Sequence, residues 1–428
     1  ASANRRMLVL IDGRAVYQPG LARVDWNDLP ITLADVERIE VTRGPSAAAY
    51  GPNAFQGVIN IITRSPEDQQ GTRVSTRQGN HGVNDWQLIH AQADTDKAMR
   101  LSLSSRSDDG YDKWLPGQAQ PHNGLRVDTA NFTADWHLSD SDRLTLRSGG
   151  SSTHLDVTQD NGVAALTAPT AEPWMDDQHF FAQMEWQHSF SDRHQWQGQA
   201  YFQHSSSVTN YPFCTKSLAP GLPVESGNLL FSQEMQALFL ATGSNTDNTT
   251  AVLAALTDPG LYASLSPAQQ AALGAIQARV AAMAGAGPLC GDLAMDIREQ
   301  RVAAEMQDTL NLERVRLVTG LSVRNDQGYS QTYLDGSHDD QIASLFSDIE
   351  WRLLDSWLIN AGGYFEHDAQ NGNYFTPRVA NIFKLSPGQS IRFVYSEAVR
   401  TMDMYENDAD IHLQLRGLNA PRSDEHTS

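Results

Sequence analysis

DVERIEVTRGPSAAAYGPNAFQGVINIITR, residues 35–64, is the stretch that decides how the chain folds. Apolar residues punctuate a charged run over 36–43, which predicts a first strand. Gly44-Pro45 ends that strand, because proline lacks an amide donor and glycine accepts tight turns. Small residues follow, and the apolar run 58–62 predicts a buried second strand. On their own, these residues predict a small α+β unit whose two strands pack through glycine and alanine.

Five short sequence motifs, in this stretch and just before it, resemble motifs in the plug domain of TonB-dependent outer-membrane receptors. They occur in the family's own order: IDGR at 11–14, VERIEV at 36–41, RGP at 43–45, YG at 50–51 and GVINIIT at 57–63. The likeness is dense over residues 5–66. It implies a globular plug inside a large membrane β-barrel, and energised uptake of a scarce nutrient complex.

Composition is compatible with that resemblance. The 428 residues include 31 Lys and Arg against 51 Asp and Glu, a formal charge of −20, which argues against a nucleic-acid partner. Mean hydropathy is −0.43, and the sequence has no run of about 18 apolar residues that would predict a transmembrane helix. Membrane strands need no such run, because only alternate residues face lipid.

From Gly71 onward the sequence shows segments of about ten residues with period-2 alternation, the pattern of an outer-membrane barrel. Polar residues such as Arg, Gln and Glu occupy the middle of one face, which suits a wet lumen. Trp136, Trp186, Trp351 and Trp357 lie beside short turns, as in an aromatic girdle. We predict 13 strands: 72–79, 84–93, 98–106, 127–138, 143–152, 177–188, 194–207, 297–310, 315–325, 340–351, 357–368, 377–385 and 390–399.

Connections between these strands alternate in length. Turns of about four residues alternate with long connections at 107–126, 153–176, 208–296, 327–339 and 369–376, and only the first outer connection, 80–83, is short. Short periplasmic turns and long outer loops produce this alternation, whereas a soluble all-β protein has no reason to keep it. The connection 208–296 predicts two helices, at 232–241 and 266–283, that pack on themselves as a disulfide-tied lid, with membrane insertion of their apolar faces as the alternative.

Plugged outer-membrane transporters have about 22 strands, and a bacterial barrel closes with an even number. We therefore expect an internal fragment with an α+β plug remnant and a truncated antiparallel meander. Residues 1–66 would be the C-terminal half of the plug, and 71–428 the N-terminal part of the barrel. The N-terminal plug half, the coupling segment and the C-terminal strands would be missing.

The sequence contains no motif that predicts an enzyme. HExxH, CxxC, GxSxG, Walker A and GxGxxG patterns are all absent, so we expect no enzymatic activity, no cofactor and no metal site. Acidic clusters such as Asp339-Asp340 could hold Ca²⁺, but solvated loops explain them better.

Two sets of site residues follow. Cys214 and Cys290 lie near the two ends of the large connection and predict a disulfide at its base, with two unpaired buried thiols as the alternative. The resemblance implies that plug arginines engage acidic residues of the lumen wall. Arg38 and Arg43 match the arginines, and Glu350, Glu366 and Glu397 are candidate partners on predicted strands; alternatively, Arg43 satisfies local carbonyl groups.

Three functional classes compete. The resemblance favours an active transporter of an iron-siderophore complex, with cobalamin, haem, copper or oligosaccharide as other ligands of the family. A passive porin or adhesin barrel should lack residues 8–64, and a periplasmic β-enzyme should show a catalytic constellation. For the transporter, the implied partners are the TonB energy-coupling complex, a small metal-chelate or vitamin ligand and outer-membrane lipid.

Overall fold

The computed structural model describes residues 7–21, 23–110, 123–157, 167–169, 174–215, 238, 241–242, 259–282, 290–410 and 414–416. The strands in these ranges form two separate β-sheets, one small and one large. None of the helices in the same ranges combines the length and the apolar character needed to span a bilayer.

The small sheet contains four strands in the order β2-β1-β4-β3. They are β1 (Met7–Ile11), β2 (Arg14–Ala15), β3 (Val36–Arg43) and β4 (Gly57–Thr63), and helix α1 (Ala47–Tyr50) lies between β3 and β4. Asp12 and Gly13 connect β1 to β2 with φ values of 48° and 78°, the backbone that a two-residue type I′ hairpin requires. The α+β unit predicted from the sequence is therefore present.

Both faces of strand β1 are buried, which explains its continuous apolar sequence. Val9 and Ile11 pack with Ile61 in one cluster, and Leu8 and Leu10 pack with Val58 and Ala54 in a second cluster on the opposite face. This small sheet, with the loops attached to it, is called the plug below.

The large sheet begins at Gly71, after a 3-10 turn at Pro66–Gln69. Thirteen of its strands form one antiparallel path in which each strand pairs with the strands before and after it in the sequence. The short strand β10 is not part of this path, so β9 pairs directly with β11. The predicted 13-strand meander is confirmed. Within the described residues the sheet does not close, because β5 and β18 lie at its two ends. The strands are β5 (Gly71–Gln78), β6 (Asn84–Ala93), β7 (Lys97–Asp108), β8 (Leu125–His137), β9 (Asp142–Asp156), β10 (Thr167–Pro169), β11 (Trp174–Ser191), β12 (His194–Thr215), β13 (Cys290–Asn311), β14 (Val315–Ser330), β15 (Gly336–Leu354), β16 (Trp357–Asp368), β17 (Gly372–Ser386), β18 (Gln389–Ser396) and β19 (Gln414–Arg416).

Strands β12 and β13 extend further than the alternation predicted. They stay paired from His194 and Leu310 to Cys214 and Cys290, well past the point where β14 ends its pairing with β13. The short strands β10 and β19 add to the two sides of this extension, which we call the outer ribbon. Other ladders also continue into predicted loops, so the connections at 331–335 and 369–371 are shorter than expected.

The two faces of the large sheet differ as the alternation predicts. On β7, Arg100, Ser102 and Ser104 face the plug and are at most 8% exposed, whereas Met99 and Leu101 point outward and are 42% and 38% exposed. The same cross-strand register turns the four predicted girdle tryptophans outward, close to the short turns. An apolar outer face and a polar inner face are what a barrel wall in lipid requires.

Helices also occur in the described parts of the connections at the other end of the strands. Helices α2 (Pro259–Ala263) and α3 (Pro267–Ala282) lie between β12 and β13, and α4 (Met404–Asp408) follows β18. Ser266 caps α3 reciprocally with Gln269, whose side-chain oxygen accepts from the Ser266 amide at 3.0 Å. The predicted helix at 266–283 is confirmed, and the one at 232–241 lies mostly outside the described residues.

Candidate functional site: plug–barrel interface and lumen cavity

A buried ion pair joins the start of strand β3 to the barrel wall. The Arg100 guanidinium on β7 donates from Nη2 to Asp35 Oδ1 at 2.6 Å, and the two side chains are only 4% and 2% exposed. Asp35 Oδ2 also accepts from the amide and hydroxyl of Thr32, and Gln69 accepts from Arg100 Nε. Both carboxylate oxygens of the pair thereby receive donors, which offsets the cost of burying two charges.

A second set of contacts holds the hairpin between β1 and β2. Arg14 is fully buried; its Nη1 donates to Gln203 at 3.0 Å and its guanidinium carbon lies 3.9 Å from the centre of the Phe181 ring. This burial lowers the pKa of Arg14 to about 10. Asp12 lies 3.5 Å from Arg147 of β9, and its backbone carbonyl accepts from Gln183.

The loop between β2 and β3 is held by barrel side chains that reach its backbone. Glu299 Oε1 accepts from the Gly20 amide at 2.6 Å, and Arg301 donates to the Tyr17 carbonyl at 3.1 Å. A Cβ on Gly20 would lie 2.7 Å from the same carboxylate oxygen, so a side chain at this position would displace Glu299 from the Gly20 amide.

Asp28 lies in the same loop and inserts its carboxylate between two hydroxyl groups of β9. Ser151 and Thr153 donate to Oδ1 at 2.8 and 2.9 Å. Burial is the main reason that the pKa of Asp28 rises to about 7. The neighbouring carboxylate of Asp177 also raises this pKa, whereas the hydrogen bonds from the two hydroxyl groups lower it.

Helix α1 and the turn after it dock on strand β16. Gly51 adopts φ 81° and ψ −177°, and a Cβ there would lie 2.8 Å from Cζ of Tyr364. Asn53 binds the segment that follows β18, since its amide donates to the Val399 carbonyl and its side chain donates to Thr401. The segment Tyr50-Gly51-Pro52 therefore forms a turn through which the plug contacts the wall, and we call it the docking turn.

The structure does not pair the five predicted latch residues with one another, although Arg38 and Glu366 line the same cavity between plug and wall. Arg38 binds Glu37 and Glu40 of its own strand, and Arg43 is exposed. On the wall, Glu366 accepts from Ser344, Glu350 faces Arg316 and Asn360 across the strands, and Glu397 accepts from Tyr395. No described contact joins either arginine to these glutamates, because β3 is the edge strand of the plug sheet and turns most of its side chains to solvent.

The two ion pairs described above between plug and wall have the opposite polarity. The plug contributes the carboxylates of Asp35 and Asp12, and the wall contributes the arginines Arg100 and Arg147. Sequence reasoning missed these pairs. The available signal was the acidic residue at the start of β3 and the arginine in the middle of a predicted lumen face.

The two cysteines lie opposite each other in the outer ribbon, where Cys214 and Cys290 are direct register partners. A directly opposed pair is compatible with a disulfide between antiparallel strands. The disulfide remains a prediction.

A cavity of about 750 Å³ lies between the plug and the wall. Its plug side carries Leu8, Leu10 and Ile62 together with Asp12, Arg38 and Asn60, and its walls include polar side chains of strands between β9 and β16. Residues 401–404 of the segment after β18 also line it. A cavity of this volume, polar on the wall side and mixed on the plug side, is large enough for a small ligand.

Charge along the lumen wall is distributed unevenly. Among described lumen-facing strand positions in the part of the wall nearer the long connections, eight carboxylates stand against five arginines: Asp85, Asp108, Asp177, Glu299, Asp326, Asp340, Glu366 and Asp368 against Arg77, Arg106, Arg301, Arg324 and Arg378. At the positions nearer the short turns, five carboxylates stand against eight basic residues: Asp135, Glu185, Glu305, Asp348 and Glu350 against Arg73, Arg100, Arg143, Arg147, Arg316, Arg352, Lys384 and Arg392. The wall is thus negative toward the long connections and positive toward the short turns.

Two family models match the chain. A TonB-dependent receptor plug domain matches residues 2–58, and a TonB-dependent receptor-like β-barrel matches residues 68–421. The chain belongs to the TonB-dependent receptor family. Its sheet is accordingly the wall of an outer-membrane barrel, and the plug lies in the lumen of that wall.

Individual relatives agree on the family and differ in what they carry. The vitamin B12 transporter BtuB of Vibrio cholerae serotype O1 is 35% identical over 146 residues, which cover 32% of this chain and 24% of that protein. The ferric enterobactin receptor PfeA of Pseudomonas aeruginosa is 17% identical, with a TM-score of 0.55 over 94% of this chain and 55% of that one. The ferric-catecholate import receptor Fiu of E. coli K12 is 12% identical, with a TM-score of 0.59 over 92% and 63%.

At these identities the solved structures show the fold alone. The present chain spans 55% of the length of the PfeA structure.

Proposed function

We propose that this protein acts in the active uptake of a scarce, complexed nutrient across the outer membrane, energised by a TonB-type complex of the inner membrane. The observation that carries the proposal is a folded plug fixed in the lumen by buried contacts from several wall strands, such as Arg100 to Asp35 and Glu299 to Gly20. A lumen that holds a folded domain cannot conduct a chelate passively. Something must displace the plug after the ligand binds, and the ligand passes unaltered.

An iron-siderophore complex is the first candidate ligand, because the solved structures that resemble this fold include receptors for ferric catecholates. Cobalamin is the second candidate, and it is favoured by the 35% identity to a vitamin B12 transporter. Outer-membrane lipid contacts the apolar outer face, and we propose neither nucleic acid nor a catalytic reaction.

The proposal is tested by expressing the receptor in cells that lack their own iron and cobalamin receptors. Uptake of radiolabelled ferric siderophore and of radiolabelled cobalamin should appear with the receptor and disappear when the TonB protein is deleted. Uptake that persists without TonB would favour the passive-porin alternative.

A further inference from the structure

The lumen cavity has an acidic end formed by three neighbouring strands. Asp326 of β14 faces Asp340 of β15, and Asp368 of β16 lies in the next register row beside Ile342. Glu366 lies one lumen-facing position deeper on β16, and all four carboxylates line the cavity. They belong to the half of the wall that is nearer the long connections.

The arginines at this end of the cavity are already engaged with one carboxylate. Arg301 forms two hydrogen bonds to Asp326, at 2.5 and 2.9 Å, and Arg324 lies 3.0 Å from the same carboxylate. Arg301 is additionally committed to the Tyr17 carbonyl of the plug. A receptor for an anionic chelate needs guanidinium or ammonium groups that are free to meet the ligand. Both guanidinium groups at this end of the cavity lie against Asp326, and the one donor among them without a hydrogen bond in the described residues, Nε of Arg324, is buried beside that carboxylate.

Two carboxylates at this end of the cavity each have an oxygen that accepts no hydrogen bond from the described residues. The oxygens are Oε1 of Glu366, a residue that is 2% exposed, and Oδ1 of Asp340, a residue that is 8% exposed. A buried carboxylate oxygen without a donor is costly, and a ligand that supplies a donor removes that cost. Both oxygens belong to side chains that line the cavity, which points to a group with positive charge or N–H donors as their partner.

We propose that the ligand of this receptor is neutral or cationic, and that Asp340 and Glu366 receive its donor groups at the acidic end of the cavity. This inference rests on the proposed uptake function and narrows its ligand class. Neutral tris-hydroxamate chelates, amine-bearing chelates and corrinoids fit the charge of the wall. A ferric tris-catecholate, with three negative charges, does not.

The experiment compares matched ligand pairs on the purified receptor. One pair is a ferric tris-hydroxamate with a free amine and its N-acetylated, neutral form; the other is aquacobalamin, with one positive charge, and neutral cyanocobalamin. We expect the cationic member of the bound pair to bind about tenfold more tightly at low salt, and the preference to shrink as salt is added. The double substitution Asp340→Asn and Glu366→Gln should remove most of that preference, while the control Asp94→Asn, in a short turn, should retain it.

Several outcomes would overturn the inference while leaving the proposed uptake intact. One such outcome is tight binding of a ferric tris-catecholate together with its TonB-dependent uptake. Another is equal binding of both members of each ligand pair. A ligand-free measurement covers the case in which no pair binds. With the plug unfolded by urea in a planar bilayer, the channel should select cations under a KCl gradient, and D340N/E366Q should weaken that selectivity. Anion selectivity would contradict the proposal.

Discussion

Arg100 of the barrel wall and Asp35 of the plug meet at 2.6 Å in a place that water hardly reaches. The carboxylate of Asp35 also receives two hydrogen bonds from Thr32, so it fixes the start of strand β3 as well as the position of the plug. One contact between two distant parts of the chain therefore combines local folding with domain docking.

Removing one partner of this pair should loosen the plug. Arg100→Ala leaves the Asp35 carboxylate buried without its counter-ion, a change that costs roughly 3–5 kcal/mol in comparable pairs. We expect a lower denaturant midpoint for the plug and a raised passive conductance in planar bilayers. Arg38→Ala is the matched control, because Arg38 pairs only with exposed glutamates of its own strand. Equal effects of the two substitutions would contradict the assigned contact.

Gly51→Ala should disturb the docking turn for two reasons. The backbone at Gly51 has φ 81° and ψ −177°, a region that costs other residues roughly 1–3 kcal/mol, and the new methyl group would meet the Tyr364 ring. Gly44→Ala separates the two effects, since Gly44 has φ 87° but a Cβ placed there would have no atom within 4 Å. Protease resistance of the plug should fall further for Gly51→Ala than for Gly44→Ala. Adding Tyr364→Ala to Gly51→Ala should restore this resistance only in part, because it removes the steric contact and not the backbone strain.

Docking of the loop that carries Asp28 should depend on pH. The pKa of this carboxyl is about 7 when docked and 3.8 ordinarily, so the docked state binds the proton more tightly. Its stability is greatest below about pH 4, decreases as the pH rises, and is lowest above about pH 7. Fluorescence of Trp26, which is 48% exposed two residues away, should report this change. Asp28→Asn should flatten the profile, and an unchanged profile would assign the titration to another group.

A disulfide between Cys214 and Cys290 should stabilise the outer ribbon. Closing a connection of this length contributes about 4 kcal/mol in chain-entropy estimates. Both cysteines should resist maleimide labelling on intact cells until a reductant is added, and Cys214→Ser should expose Cys290 to the reagent. Immediate labelling of both cysteines in the unreduced protein would show that they are free thiols.

The sequence predicts the architecture well because that information is local. Period-2 alternation determines which side of a strand faces lipid, so the meander and the girdle tryptophans follow from residues close together in the chain. The plug strands are equally local, since Gly44-Pro45 and Gly57 bound them.

The contacts between plug and wall could not be predicted in the same way. Arg38 and Arg100 both occur in polar, alternating strands, and nothing nearby distinguishes the exposed one from the buried one. Which wall residue meets Asp35 depends on how the plug is rotated inside the sheet, a property of the whole assembly. The acidic end of the cavity likewise emerges only when β14, β15 and β16 are placed side by side.

The outer ribbon has a mechanical consequence. Strand β10 comes from the connection before β11, and β19 from the segment after β18, and both are hydrogen-bonded to the ribbon that carries the largest connection. The segment leading to β19 also binds the plug, through Val399 to Asn53 and Tyr405 to Gly20. Three remote parts of the chain therefore meet at the outer ribbon, and the segment that leads to β19 also contacts the plug, so the outer end of the wall and the plug share one connected segment.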